Sequence, residues 1–201
     1  MERKSEIKRK TFETDILLKL ILESNEKSKI DSGVKFFDHM LNSMSRHGFF
    51  YLDLNCKGDL GVDDHHSVED IGICLGRAVK DALRDVRGIR RFGESTIPMD
   101  DALSLVVVDI SGRPYFRYNG PELTGKIGNY SEELTIEFMR SFATNAEINL
   151  HINVFYGDNR HHIHESIFKA LGVSLYRAYS INPMLKNEVM STKGSLYDYS
   201  D

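Results

Sequence analysis

Residues 11–22 (TFETDILLKLIL) pass from polar to Ile- and Leu-rich, which predicts a strand. The polar stretch after it, SNEKSKIDSG, reads as a turn. From Val34 the apolar positions recur at helical spacing, with Phe36, Phe37, Met40, Leu41 and Met44 on one face, and Gly48 ends the run. Phe49 to Cys56 alternates as a strand with Leu52 and Leu54 on one side. VEDIGICLGRAVKDAL then reads as a helix whose stripe is Ile71, Leu75, Ala78, Val79 and Ala82.

The second half repeats this order. DALSLVVVDISGRPYF reads as a strand pair around Ser111-Gly112-Arg113-Pro114, and its Leu-Val run predicts a central position. Residues 131–145 read as a helix capped at Ser131, INLHINVFYG as a strand with Ile148, Leu150, Ile152 and Val154 inward, and ESIFKALGVSLYRAY as a helix. Each half is strand, helix, strand, helix. The expected architecture is α+β: an internally duplicated two-layer sandwich, each half a β-sheet covered on one face by helices. One domain spans 1–201, as pseudo-repeats of about 9–92 and 93–180. Residues 181–201 and the N-terminal MERKSEIKRKTF read as solvated tails.

Composition narrows the function classes. A net charge of −4 argues against nucleic-acid binding. No run of about 18 apolar residues exists, which argues against a membrane span, and the N-terminus lacks the apolar stretch of a secretory signal. Cys56, in a predicted strand, and Cys74, in a predicted helix, read as free buried thiols of a cytoplasmic protein.

The chemistry concentrates in a repeated pentapeptide. His-His-x-x-Glu occurs as His65-His66-Ser67-Val68-Glu69 and as His161-His162-Ile163-His164-Glu165, each opening a predicted helix. One His-His pair is ordinarily a surface accident; two at equivalent places are not. Imidazole and carboxylate suit divalent metals such as Mn, Fe, Ni and Zn, and helix positions i and i+3 or i+4 share a face. His65 or His66 can therefore join Glu69 at one ion, and His161 or His162 can join Glu165. Setting the halves side by side adds His39 on the preceding helix, with Glu137 as its counterpart. His151 falls on the polar face of its strand and reads as solvent-facing, and His164 breaks the symmetry of the motifs and is left out. Singly, Glu13 reads as a β-edge carboxylate, Arg113 as a turn arginine, Arg90-Arg91 as a solvated pair and Lys169 as exposed helix.

With FDHML, RHGFF, DDHHSVED, SGRPY, NRHHIHESIFKALG and STKG in order, the chain resembles the imidazoleglycerol-phosphate dehydratase family from about Arg9 to Gly194. The resemblance implies dehydration of imidazole glycerol phosphate to imidazole acetol phosphate in histidine biosynthesis. It also implies two Mn2+ ions per active site and homo-oligomers of 24 subunits with sites assembled between subunits. Carried over by motif, metal ligands fall on His39, His65, His66, Glu69, His161, His162 and Glu165. Glu137 stands where the family commonly has a ligand histidine. Phosphate-binding groups fall on Arg91, Arg113, Ser191 and Lys193, a catalytic glutamate on Glu13, and a catalytic substrate contact on Lys169. Two other readings share these ligands: a di-metal hydrolase, and a non-catalytic metal-binding assembly protein.

Overall fold

Residues 2–196 are described in a computed structural model of the chain. The first half supplies β1 (Lys4–Lys10), β2 (Thr14–Leu22), β3 (Lys29–Asp31), α1 (Lys35–His47), β4 (Phe50–Gly58) and α2 (His65–Ala82). The second supplies β5 (Phe92–Met99), β6 (Ala102–Asp109) and β7 (Tyr115–Asn119), then a small hairpin of β8 (Lys126–Ile127) and β9 (Tyr130–Ser131). It closes with α3 (Leu134–Ala146), β10 (Asn149–Tyr156) and α4 (Arg160–Tyr179). The sheets run β1-β2-β4-β3 and β5-β6-β10-β7. In both, the last pair is parallel and the others are antiparallel. The duplication read from the motifs is thus a duplication of topology.

Alternation decides which face each sheet buries. Along β2, Ile16, Leu18, Leu20 and Leu22 are buried while Asp15, Leu17 and Lys19 face out, and β6 alternates likewise. The inward faces meet helices: α2 lies on β1 and β2, and α4 on β5 and β6. The helices then cross between halves, α1 against α4 and α2 against α3, so one helical layer sits between two sheets. Gly76 on α2 and Gly172 on α4, 96 residues apart like His65 and His161, permit the two crossings. A Cβ on Gly76 would lie 2.6 Å from the Phe142 carbonyl oxygen, and one on Gly172 would run into that of Met44.

Five expectations change. The N-terminal tail is strand β1: it is polar because it is an edge, and Ile7 packs on the core while its backbone pairs with Leu18. The polar stretch after β2 contains β3, too short to show periodicity. Strands β6 and β7 flank the Ser111–Pro114 turn but do not pair with each other, because β10 lies between them. Ser131 belongs to β9 rather than to a cap, and α3 starts at Leu134 with no side-chain cap. The tail after α4 is tied down in part: Asn182 N–H donates to the Gly88 carbonyl (2.7 Å), Ile89 bridges Ile181, and Leu196 is buried.

Candidate metal centre and active site

Both His-His pairs sit in the first turn of a helix because a side chain upstream accepts their backbone N–H groups. Asn159 Oδ1 accepts from His161 (2.9 Å) and His162 (3.4 Å), and Asp63 Oδ1 accepts from His65 (2.8 Å). Within each motif the first histidine and the glutamate face one another one turn apart. His65 Nε2 is 3.6 Å from Glu69 Oε2, and His161 Nε2 is 3.2 Å from Glu165 Oε2. The second histidine is held instead through Nδ1 by an aspartate from a loop: His66 by Asp59 (3.0 Å) and His162 by Asp101 (2.5 Å). A carboxylate on Nδ1 fixes the tautomer and leaves the Nε2 lone pair for an electrophile. Asp59 also holds the His66 pKa above its ordinary value, and His162 holds Asp101 well below the usual carboxylate range.

The freed Nε2 atoms look at further carboxylates. His66 Nε2 is 3.6 Å from Glu13 Oε1, and His162 Nε2 is 3.5 Å from Asp100 Oδ2. Asp100 carries a positive φ of 45°, the backbone conformation a non-glycine residue rarely adopts.

His39 completes the second motif. Its Nε2 is 3.6 Å from Glu165 Oε2, and the donor atoms of His39, His161 and Glu165 all lie within 4.8 Å of one another. Metal–ligand bonds of about 2.1 Å put neighbouring donors roughly 3.0–3.4 Å apart, so this triad needs only a small contraction to hold one ion. The crossing of α1 with α4 creates it: the third donor comes from the opposite half of the fold. Burial alone raises the Glu165 pKa, but Lys169, His39 and His161 outweigh it and hold the group below its ordinary value. Lys169 Nζ lies 2.9 Å from Glu165 Oε1. Glu137 is engaged elsewhere, taking two bonds from Arg140 (2.8 and 2.9 Å), and is in no three-donor cluster among the described residues.

The phosphate candidates group in part. Arg91 pairs with Asp109 (2.7 and 3.1 Å) and donates to the Met190 carbonyl (3.0 Å), which brings the Ser191–Gly194 turn beside it. Within that turn Lys193 N–H donates to Ser191 Oγ (3.2 Å). Arg113 is exposed, in the turn that leaves β6 next to Arg91, whose carbonyl accepts from Ile110 N–H (3.1 Å).

Asp59, Asp100 and Asp101 escaped the sequence reading, since an aspartate in a loop has no period to betray it. His164, left out there, is fully buried: its Nδ1 bonds Thr135 Oγ1 (2.8 Å), which bonds Tyr130 (2.9 Å). Its Nε2 faces Glu132 at 3.8 Å, and Glu132 is salt-bridged to Arg160. His151 is exposed, as expected.

The family model described as imidazoleglycerol-phosphate dehydratase matches residues 32–175. The protein of that name from Leptospira biflexa is 51% identical over 188 residues, covering 94% of this chain and 95% of the relative. The one from Acetivibrio thermocellus is 50% identical over 196 residues, covering 98% of this chain and 100% of the relative. Among solved structures, the Staphylococcus aureus imidazoleglycerol-phosphate dehydratase superposes with a TM-score of 0.80 at 36% identity, covering 89% of this chain and 99% of that one. The Pyrococcus furiosus counterpart gives 0.79 at 34%, covering 94% and 100%.

Proposed function

The chain belongs to the imidazoleglycerol-phosphate dehydratase family and is a hydro-lyase of histidine biosynthesis, and we propose that it dehydrates D-erythro-imidazole glycerol phosphate at a two-manganese site. The observation that carries the metal reading is the convergence of His39, His161 and Glu165. His65, His66, Glu69 and His162 complete the proposed ligand set, with Glu137 joining only by leaving Arg140. Bound divalent ions supply Lewis acidity, drawing electron density from the imidazole ring so that a carbon-bound proton with no carbonyl beside it becomes removable.

The chain's own groups do the rest. Asp59 and Asp101 keep the His66 and His162 protons on Nδ1, so both Nε2 atoms stay electron donors. Glu13, more than half exposed and facing His66 Nε2, is the acid/base that takes and returns the substrate proton. Lys169 neutralises Glu165 and offers an ammonium to the substrate. Arg91, Arg113, Ser191 and Lys193 form the phosphate clamp, in which guanidinium and hydroxyl donors match phosphate oxygens.

Assembly into 24 subunits with shared sites is part of this reading. His65 and Glu69 find no third donor among the described residues, and Phe12, beside Glu13, is fully exposed, with Val62 and Met184 exposed as well. No described helix is long and apolar enough to cross a membrane, and the proposed compartment is the cytoplasm.

The test is elemental analysis of the purified protein coupled to a dehydratase assay with and without chelator. The expected result is bound manganese, imidazole acetol phosphate as product with its phosphate retained, and loss of turnover on chelation. Manganese-replete protein that forms none of this product overturns the reading. Release of inorganic phosphate would instead point to a hydrolase.

A further inference from the structure

Glu13 lies in a hairpin between β1 and β2, yet its backbone is tied to the motif helix from two sides. Its carbonyl accepts from Asp59 N–H (3.0 Å), and the Asp59 carboxylate takes His66 Nδ1 (3.0 Å). On the other side, Thr14 Oγ1 donates to Asp70 Oδ2 (2.5 Å), and Arg9 donates to Asp70 Oδ1 (2.7 Å). His66 and Asp70 are one turn apart on α2, so the links close a ring: Asp70, Thr14, Glu13, Asp59, His66 and back along the helix. Thr11 Oγ1 stiffens the hairpin inside the ring by accepting from Glu13 N–H (3.1 Å) and Thr14 N–H (2.9 Å).

Burial makes the Asp70 side of the ring rigid. Thr14 is 2% exposed and Asp70 6%, so their bond does not compete with water, and a charged acceptor shortens and strengthens it. The second half treats the matching position differently. There the residue after the motif glutamate is Ser166, which makes a neutral bond to Ser104 on β6 (2.6 Å). The ion-paired tie occurs only on the side where Glu13 must face a ligand histidine.

We propose that Asp70, acting through Thr14 and backed by Arg9, is a positioning residue that holds the Glu13 carboxylate over His66 Nε2. This rests on the reading of Glu13 as the acid/base. Asp70 touches neither substrate nor the reacting atoms; it fixes the register of the hairpin against α2, and small displacements of a reacting group are costly.

The experiment compares Thr14→Val, which removes the hydroxyl at constant volume, with Thr14→Ser, which keeps it, each alone and in a Glu13→Gln background. In Thr14→Val, kcat should fall about ten- to hundredfold, with KM for imidazoleglycerol phosphate and manganese per subunit unchanged. Thr14→Ser should recover most of that loss, and Thr14→Val should cost nothing further once Glu13 is Gln. If Thr14→Val fails to fold, Asp70→Asn in the same two backgrounds replaces it. Unchanged kcat, a KM or metal defect in place of the kcat loss, or full additivity with Glu13→Gln overturns the inference while leaving Glu13 as acid/base. Normal turnover in Glu13→Gln alone overturns the acid/base reading, and the inference falls with it.

Discussion

Glu165 touches His161, His39 and Lys169 while only 8% exposed, so its charge is shared between two imidazoles and an ammonium. Glu165→Gln keeps the shape and removes the charge, and manganese affinity should fall at least tenfold by titration calorimetry. Glu137→Gln should cost less, because Glu137 must first give up Arg140. His164 belongs to another balance. Burial holds its pKa at about 4, against about 6.5 in an unfolded chain. Between those values the unfolded chain binds a proton that the folded chain does not, so stability falls as pH drops from roughly 6.5 to 4. Glu132, held low by Arg160 against its own burial, adds to the acid loss in the same direction. The midpoint of thermal unfolding should therefore fall as pH drops across that window, and His164→Leu should flatten the fall.

At the scale of elements, helices and central strands were legible because their apolar periods are long. Ile71, Leu75, Ala78, Val79 and Ala82 are all buried along α2, as are Leu150, Ile152 and Val154 along β10 and Ile148 just before it. Strands β1 and β3 were not legible, since an edge strand owes its structure to a partner backbone more than to its own side chains. The helix crossings hang on two glycines. Gly76→Ala or Gly172→Ala would force a Cβ into a backbone carbonyl, which should cost about 1–3 kcal/mol or more by overpacking. Each variant should show a lower midpoint of thermal unfolding, and the double variant should fail to accumulate as folded protein.

The molecule as a whole is built so that neither half is complete. α1 rests on α4 and α2 on α3, so a separated half would expose the helical faces that carry Phe37, Met40, Phe138 and Phe168. Fragments 1–91 and 92–201 expressed apart should unfold without a cooperative transition by circular dichroism, and mixing them should restore one. The sequence alone determined the duplication, the strand and helix faces and the repeated His-His-x-x-Glu chemistry, because spacing along a chain fixes which side chains share a helix face. It also carried the family likeness. Tertiary structure decided which donors meet: His39 joins the second motif rather than its own, and Glu137 turns to Arg140. It also placed loop aspartates behind His66 and His162. Those contacts depend on how helices of opposite halves cross and where loops return, and no local period encodes either.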